Sequence, residues 1–230
     1  MKDLGYKAAI TDAIKTGDNH DAKSAGVRVG VRSCVGFQRT GEAELQQGDW
    51  LAPGGPEEVP ARMVAGLVNA IVPGGLVVVS LYLKDGVKAT GPNLEYLQIL
   101  GAYLTQCKRP WVVAGDWNLN PSELKACGWL TQLSGDIIAP SAITCTGGNG
   151  DTLDYFVVSA GLSARCSARG VWTEAPSSPH SPVWLHINKV ADAAPIIQRV
   201  RWKVFPSRAQ VSCLLPAPLV MVLRSRPGAQ

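Results

Sequence analysis

The chain has 230 residues, a formal net charge of +4, 46% hydrophobic residues and 17% charged residues. That length carries one sizeable domain with a full core, and the balance excludes a disordered chain. No apolar run reaches the roughly 18–20 residues that span a bilayer, and the first residues lack the apolar core of a signal peptide. An intracellular chain, neither secreted nor membrane-spanning, is expected.

In chain order, residues 26–33 alternate apolar and polar side chains and read as a half-buried strand. The segment from Arg39 to about Pro60 reads as a strand edge followed by a loop. The spacing of Met63, Leu67 and Ala70 or Ile71 predicts a helix over 62–71, stopped by Pro73-Gly74-Gly75. Residues 76–83 are a valine-rich buried strand with Tyr82 near its end, and leucines at helical intervals predict a helix over 92–106. An apolar run, Trp111-Val112-Val113-Ala114, then stops at Gly115-Asp116-Trp117-Asn118. Two residues apart in extended backbone, Asp116 and Asn118 are expected on one face. A plainer reading is an Asp/Asn turn with Asn120-Pro121 opening a helix. A short amphipathic helix over 121–133 and strands over 152–159 and 183–187 follow. Strand alternating with helix is an α/β layout with sheets covered by helices, without internal repeats.

From residue 189 the pattern degrades, and Pro206, Pro216, Pro218 and Pro227 punctuate it. Seven basic residues there face Asp192 alone, so 189–230 carries +6 and 1–188 carries −2. The boundaries are therefore a domain over 1–188 and an irregular basic tail over 189–230. Such a tail can touch phosphates or simply be solvated. The six cysteines are scattered without zinc spacing and read as free thiols in a reducing compartment.

Three polar clusters stand at strand tips or loops: Asp116 with Asn118, Asp154 in Asp151-Thr152-Leu153-Asp154-Tyr155, and His180 in Ser178-Pro179-His180-Ser181-Pro182-Val183. They supply what phosphodiester hydrolysis needs. A carboxylate orients or deprotonates water, an amide donates to phosphoryl oxygens, and a carboxylate-paired imidazole stabilises charge on phosphate. His20 sits in a loop composition and His186 on the closing strand, so both read as structural. Seven tryptophans against three phenylalanines read as packing residues. Gly147-Gly148-Asn149-Gly150-Asp151 is a hairpin or loop signal without the Gly-Lys-Ser/Thr of a phosphate loop. Serine-hydrolase and zincin signatures are absent.

Gly115-Asp116-Trp117-Asn118, Leu153-Asp154-Tyr155-Phe156-Val157-Val158-Ser159 and Ser178-Pro179-His180-Ser181-Pro182-Val183, in this order, resemble the signature of the endonuclease/exonuclease/phosphatase superfamily over about residues 5–188. The resemblance implies a deoxyribonuclease I-like α/β (α+β) sandwich, two packed mixed β-sheets flanked by helices. It implies that Asp116 positions or activates the attacking water and binds the metal, and that Asn118 contacts phosphate and water. Asp154 would hold the tautomer of His180, His180 would contact the scissile phosphate, and Tyr82 is similar to the family's phosphate-facing tyrosine. Mg²⁺, with Mn²⁺ as the alternative, is the implied cofactor. Nucleic acid is the implied partner, since Gly-Asp-Trp-Asn resembles the retroelement-like branch.

Two departures bear on activity. The family's metal-binding Glu on an early strand has no counterpart, as though the first strands were missing and a sheet edge exposed, with apolar 214–223 available to cover it. Pro179 also stands where the family has an Asp, and losing carboxylates weakens the hold on a hard cation. The sequence therefore supports a metal-dependent phosphodiester hydrolase of nuclease type. The alternative is a catalytically silent remnant of the same fold serving as a binding module or having no activity.

Overall fold

A computed structural model describes residues 5–15, 23–24, 26–40 and 62–189. The expected basic tail and the loop after residue 40 lie outside the described residues, apart from Lys189, and so does His20. The first strands are β1 (Tyr6–Ile10), β2 (Ile14–Lys15), β3 (Lys23–Ser24), β4 (Arg28–Arg32), β5 (Phe37–Thr40), β6 (Met63–Val68) and β7 (Leu76–Tyr82). Then come α1 (Gly91–Gln106), β8 (Trp111–Asp116), α2 (Pro121–Ala126), α3 (Trp129–Leu133), β9 (Gly135–Ile138), β10 (Asp154–Ser159), α4 (Ala160–Ser163), β11 (Cys166–Val171) and β12 (Val183–Ile187).

Six strands form the central sheet in the order β5-β6-β7-β8-β10-β9. Only β7 and β8 run parallel, joined through α1, and the other neighbours are antiparallel. The apolar runs of β7, β8 and β10 are buried on both faces, as central strands covered above and below must be. On one face Met63, Leu67, Val79, Leu81 and Val113 pack against Tyr96, Leu97, Leu100 and Leu104 of α1. On the other, Val64, Val68, Val78, Val112 and Phe156 meet Val29 and Val31 of β4 and Leu185 and Ile187 of β12. The second layer consists, among the described residues, of the pairs β1-β4 and β11-β12, with β2-β3 as a further small pair. The expected helix-flanked α/β sandwich is the fold, and β4 shows the alternation of a half-buried strand.

Two sequence expectations change. The helix expected over 62–71 is the strand β6, buried along its whole length. Its apolar run fits either period; β5 and β7 pair with its edges, and α1 on one side and β4 on the other bury its two faces. The single helix over 121–133 is two short helices, α2 and α3, because Gly128 between them takes a left-handed backbone with φ 75°. The strands β1, β9 and β11 carry little apolar alternation and were not legible. No helix among the described residues is long and apolar enough to cross a membrane.

Candidate active site

β8 ends with a close approach that only glycine permits. A Cβ at Gly115 would collide with the Leu81 carbonyl of the parallel neighbour β7. Two residues on, Trp117 turns to the helix side, fully buried. Its ring stacks on Tyr155 at 5.3 Å and meets Trp129 edge-on at 6.0 Å, while its indole N–H donates to the Tyr155 carbonyl at 3.1 Å. This anchor fixes the strand end that carries Asp116 on the opposite face.

Register brings the acids together. Asp116 of β8 pairs directly with Asp154 of β10 and, on its other side, with Tyr82 of β7. Asp116 and Asp154 are 7% and 4% exposed, so both carboxylates stand out of bulk water. His180 comes from the loop before β12. Its Nδ1–H donates to Asp154 Oδ2 at 2.7 Å, and its Nε2 lies 3.7 Å from Asp116 Oδ2. The loop is sewn to residues 144–146. The Ser181 N–H donates to the Thr144 carbonyl at 2.7 Å, and the Pro179 carbonyl accepts from the Thr146 N–H at 2.9 Å.

Asn118 reaches the site differently from the expectation. Strand alternation ends at Asp116, and Asn118 adopts a left-handed backbone with φ 46°. Its backbone N–H donates to Asp116 Oδ1 at 3.2 Å, and its amide donates to the Leu83 carbonyl at 2.8 Å. It therefore ties the end of β7 to the end of β8 and braces Asp116, with the Asp/Asn turn of the plainer reading supplying the geometry. His186 is apart from the cluster, its Nδ1 2.8 Å from Ser167 Oγ.

The electrostatics follow from burial and crowding. Burial, then the nearby Asp154 charge, pushes Asp116 up to about 7, against the lowering pull of His180 and the Asn118 N–H. Burial disfavours the His180 cation, but the Asp154 hydrogen bond and charge outweigh it and raise the imidazole above its ordinary value. One group able to take a proton near neutral pH thus faces one able to hold a proton there.

Asp116, Asp154 and His180 each bring one ligand atom within 4.8 Å of the others. Two carboxylates and an imidazole fit a divalent cation. Because Asp154 already holds His180, Asp116 is the carboxylate with the most capacity left for a metal.

Two contributors were not read from the sequence. Thr144, fully buried, accepts the N–H groups of Leu153 and Asp154 on its hydroxyl, both at 2.9 Å. A lone threonine in a loop gives no signal of this. Arg62, 3% exposed, stands at the foot of β6 beside Tyr82. It would have been found by aligning 62–68 as a strand against β7.

Residues 31–185 match the profile of the "Endonuclease/Exonuclease/phosphatase family". No curated protein matches the chain. Among solved structures, the "Endonuclease domain of TRAS1, a telomere-specific non-LTR retrotransposon" is similar at 14% identity and TM-score 0.54, covering 79% of each chain. The "3'-5' exonuclease (NExo) from Neisseria Meningitidis" is similar at 14% identity and TM-score 0.52, covering 81% of each. The "AP endonuclease LMAP from Leishmania major" is similar at 14% identity and TM-score 0.55, covering 79% of this chain and 70% of that one. These likenesses concern the fold. The profile match takes in Tyr82, Asp116, Asn118, Asp154 and His180 and runs from β4 into β12, so the chain belongs to the endonuclease/exonuclease/phosphatase family.

Proposed function

We propose that this chain is a metal-dependent phosphodiester hydrolase acting on nucleic acid. The observation that carries the reading is His180, bonded to Asp154 at 2.7 Å with its other nitrogen 3.7 Å from Asp116, at the tip of a rigid sheet. An Asp116 carboxyl held near neutrality accepts a proton from water at physiological pH. A His180 imidazole raised by Asp154 carries positive charge toward a phosphoryl oxygen as negative charge builds there. Asp154 stays with His180, fixing ring orientation and tautomer. Asn118 keeps Asp116 oriented, and Tyr82, next to it in the sheet, faces the same phosphate.

Asp116 would hold Mg²⁺ or Mn²⁺, which when bound would polarise the phosphate and help the water ionise, while Asp154 remains paired with His180. A single well-placed carboxylate would bind such an ion weakly, so the ion would be held more firmly when substrate is present. The named activities of the similar structures, two endonucleases and an exonuclease, support nucleic acid as the substrate class, and the likeness to the retrotransposon endonuclease domain supports the retroelement-like branch. The cysteines at 34, 107, 127, 145 and 166 are unbonded, which supports a reducing, intracellular setting.

The test is cleavage of plasmid and single-stranded DNA by the purified chain with Mg²⁺ or Mn²⁺, with chelator, and by Asp116→Ala. Cleavage that requires the ion and is lost in the variant supports the proposal. A folded chain that cleaves neither substrate with either ion overturns it and leaves the silent-remnant reading.

A further inference from the structure

The sheet register aligns more than the two acids. Tyr82, Asp116 and Asp154 are successive neighbours across β7, β8 and β10. β6 and β7 pair from Met63 with Leu81 onward, so the next position places Arg62 beside Tyr82. Four polar residues therefore follow one another, Arg62 just before β6 and Tyr82, Asp116 and Asp154 on β7, β8 and β10, and the last two contact His180. Arg62 is 3% exposed, and its guanidinium carbon lies 5.3 Å from the Tyr82 ring centroid and 5.9 Å from that of Tyr96. Its Nη1 donates to the Tyr82 carbonyl at 3.4 Å.

A guanidinium withdrawn from water is unfavourable unless its surroundings compensate it. Aromatic faces do so through their negative quadrupole, and a planar guanidinium lies flat on a ring where an ammonium cannot. The neighbouring positions on β6 are Met, Val, Ala, Gly and Leu, and none of them needs a cation to pack. We infer that Arg62 is a positioning residue for Tyr82. It clamps the ring and the backbone of Tyr82 together at the strand end, so that the phenol is held beside Asp116, and it acts on substrate only through that ring. This inference rests on the hydrolase reading, within which Tyr82 faces the phosphate.

A double-mutant cycle on the full chain tests it, with Arg62→Met, Tyr82→Phe and the pair assayed for kcat and KM on DNA. The expected result is a fall in kcat on the order of 10-fold for Arg62→Met, with KM little changed, and no further fall when Tyr82→Phe is already present. An equal fall in both backgrounds overturns the inference, as does an unchanged kcat. Arg62→Lys keeps the charge and serves where Arg62→Met fails to fold. It is expected to restore less than full kcat, because the flat contact is lost.

A substrate-free readout separates this inference from the hydrolase reading. In chain labelled with fluorotyrosine, the fluorine NMR line of Tyr82, assigned by its loss in Tyr82→Phe, is expected to shift and broaden in Arg62→Lys. The line of Tyr155 is expected to stay in place. An unmoved Tyr82 line overturns the positioning role. A moved line in a chain that cleaves no DNA overturns only the hydrolase reading.

Discussion

The two faces of the central sheet end differently at the same strand tips. On the helix face, Trp117 just past the end of β8 and Tyr155 near the start of β10 stack at 5.3 Å and are fully buried. On the opposite face, one residue away along each strand, stand Asp116 and Asp154. The first face consists of large rings with satisfied polar handles: the Trp117 N–H bonds the Tyr155 carbonyl, and the Tyr155 hydroxyl bonds the Leu119 carbonyl. The second face crowds two acids and an imidazole into a space where their charges interact strongly. A rigid aromatic wedge lets the reverse side of the same two strands carry a destabilising charge cluster without spreading apart.

The largest expected effect separates the faces by function. His180→Ala and Asp154→Ala are each expected to lower DNA cleavage by about 10³–10⁴-fold, the range of a lost acid–base group and its orienting partner. The melting temperature should change far less in proportion. If cleavage survives either substitution within tenfold, the polar face is not the reactive one. Trp117→Ala inverts the pattern. Emptying a fully buried indole is expected to cost about 3–5 kcal/mol in denaturant unfolding. Activity per folded molecule should then fall less than in His180→Ala. A Trp117→Ala chain as stable as the parent would show that the wedge does not hold the strand ends.

The sequence revealed these two faces unevenly, for physical reasons. Asp116 and Asp154 were legible because each sits in a short motif at the tip of an apolar run, where period-two alternation fixes the side that faces the site, and His180 because its loop motif precedes the closing strand. Asn118 was legible as a member but not in its placement, since the turn at φ 46° breaks the alternation that predicted it. β6 was misread because a strand buried on both faces has no period that distinguishes it from a buried helix. That error also hid Arg62, whose place beside Tyr82 exists only once the strands are in register. Thr144 was invisible because its role depends on a loop folding back ten residues onto Asp154.

A smaller effect sharpens the electrostatic half of the comparison. Asp116 titrates near 7 in the fold against an ordinary 3.8, so its ionisation opposes folding increasingly from about pH 4 and fully above about pH 7. His180 is raised above its ordinary 6.5, so the stabilisation it gives as a cation is complete below that pH and lost as pH rises through its folded value. Both signs agree: the metal-free chain should be less stable at pH 8 than at pH 5.5. Asp116→Asn removes the buried charge while keeping an acceptor for the Asn118 N–H. It is expected to gain about 1 kcal/mol or more at pH 8, roughly 2–4 °C in Tm, and to flatten the pH profile. Thermal melts of parent and variant across this range check it, and a parent that is more stable at pH 8 would reverse the assignment.

The smallest effect concerns how the chain leaves the site. Directly after Asn118, Leu119 is buried and Asn120 caps α2. The Asn120 side chain accepts the Glu123 N–H at 3.0 Å, and Glu123 returns a bond to the Asn120 N–H at 3.0 Å. This reciprocal cap fixes the exit direction on the aromatic side, where the Leu119 carbonyl receives the Tyr155 hydroxyl. Asn120→Ala should therefore weaken the wedge by about 1 kcal/mol, the usual loss for an N-cap, and leave the polar face intact. The expected outcome is a Tm lower by about 2–4 °C with an unaltered pH dependence of stability. A changed pH dependence would mean that the exit turn also sets the Asp116 environment. The two faces would then be coupled through the turn at Asn118 as well as through the strands themselves.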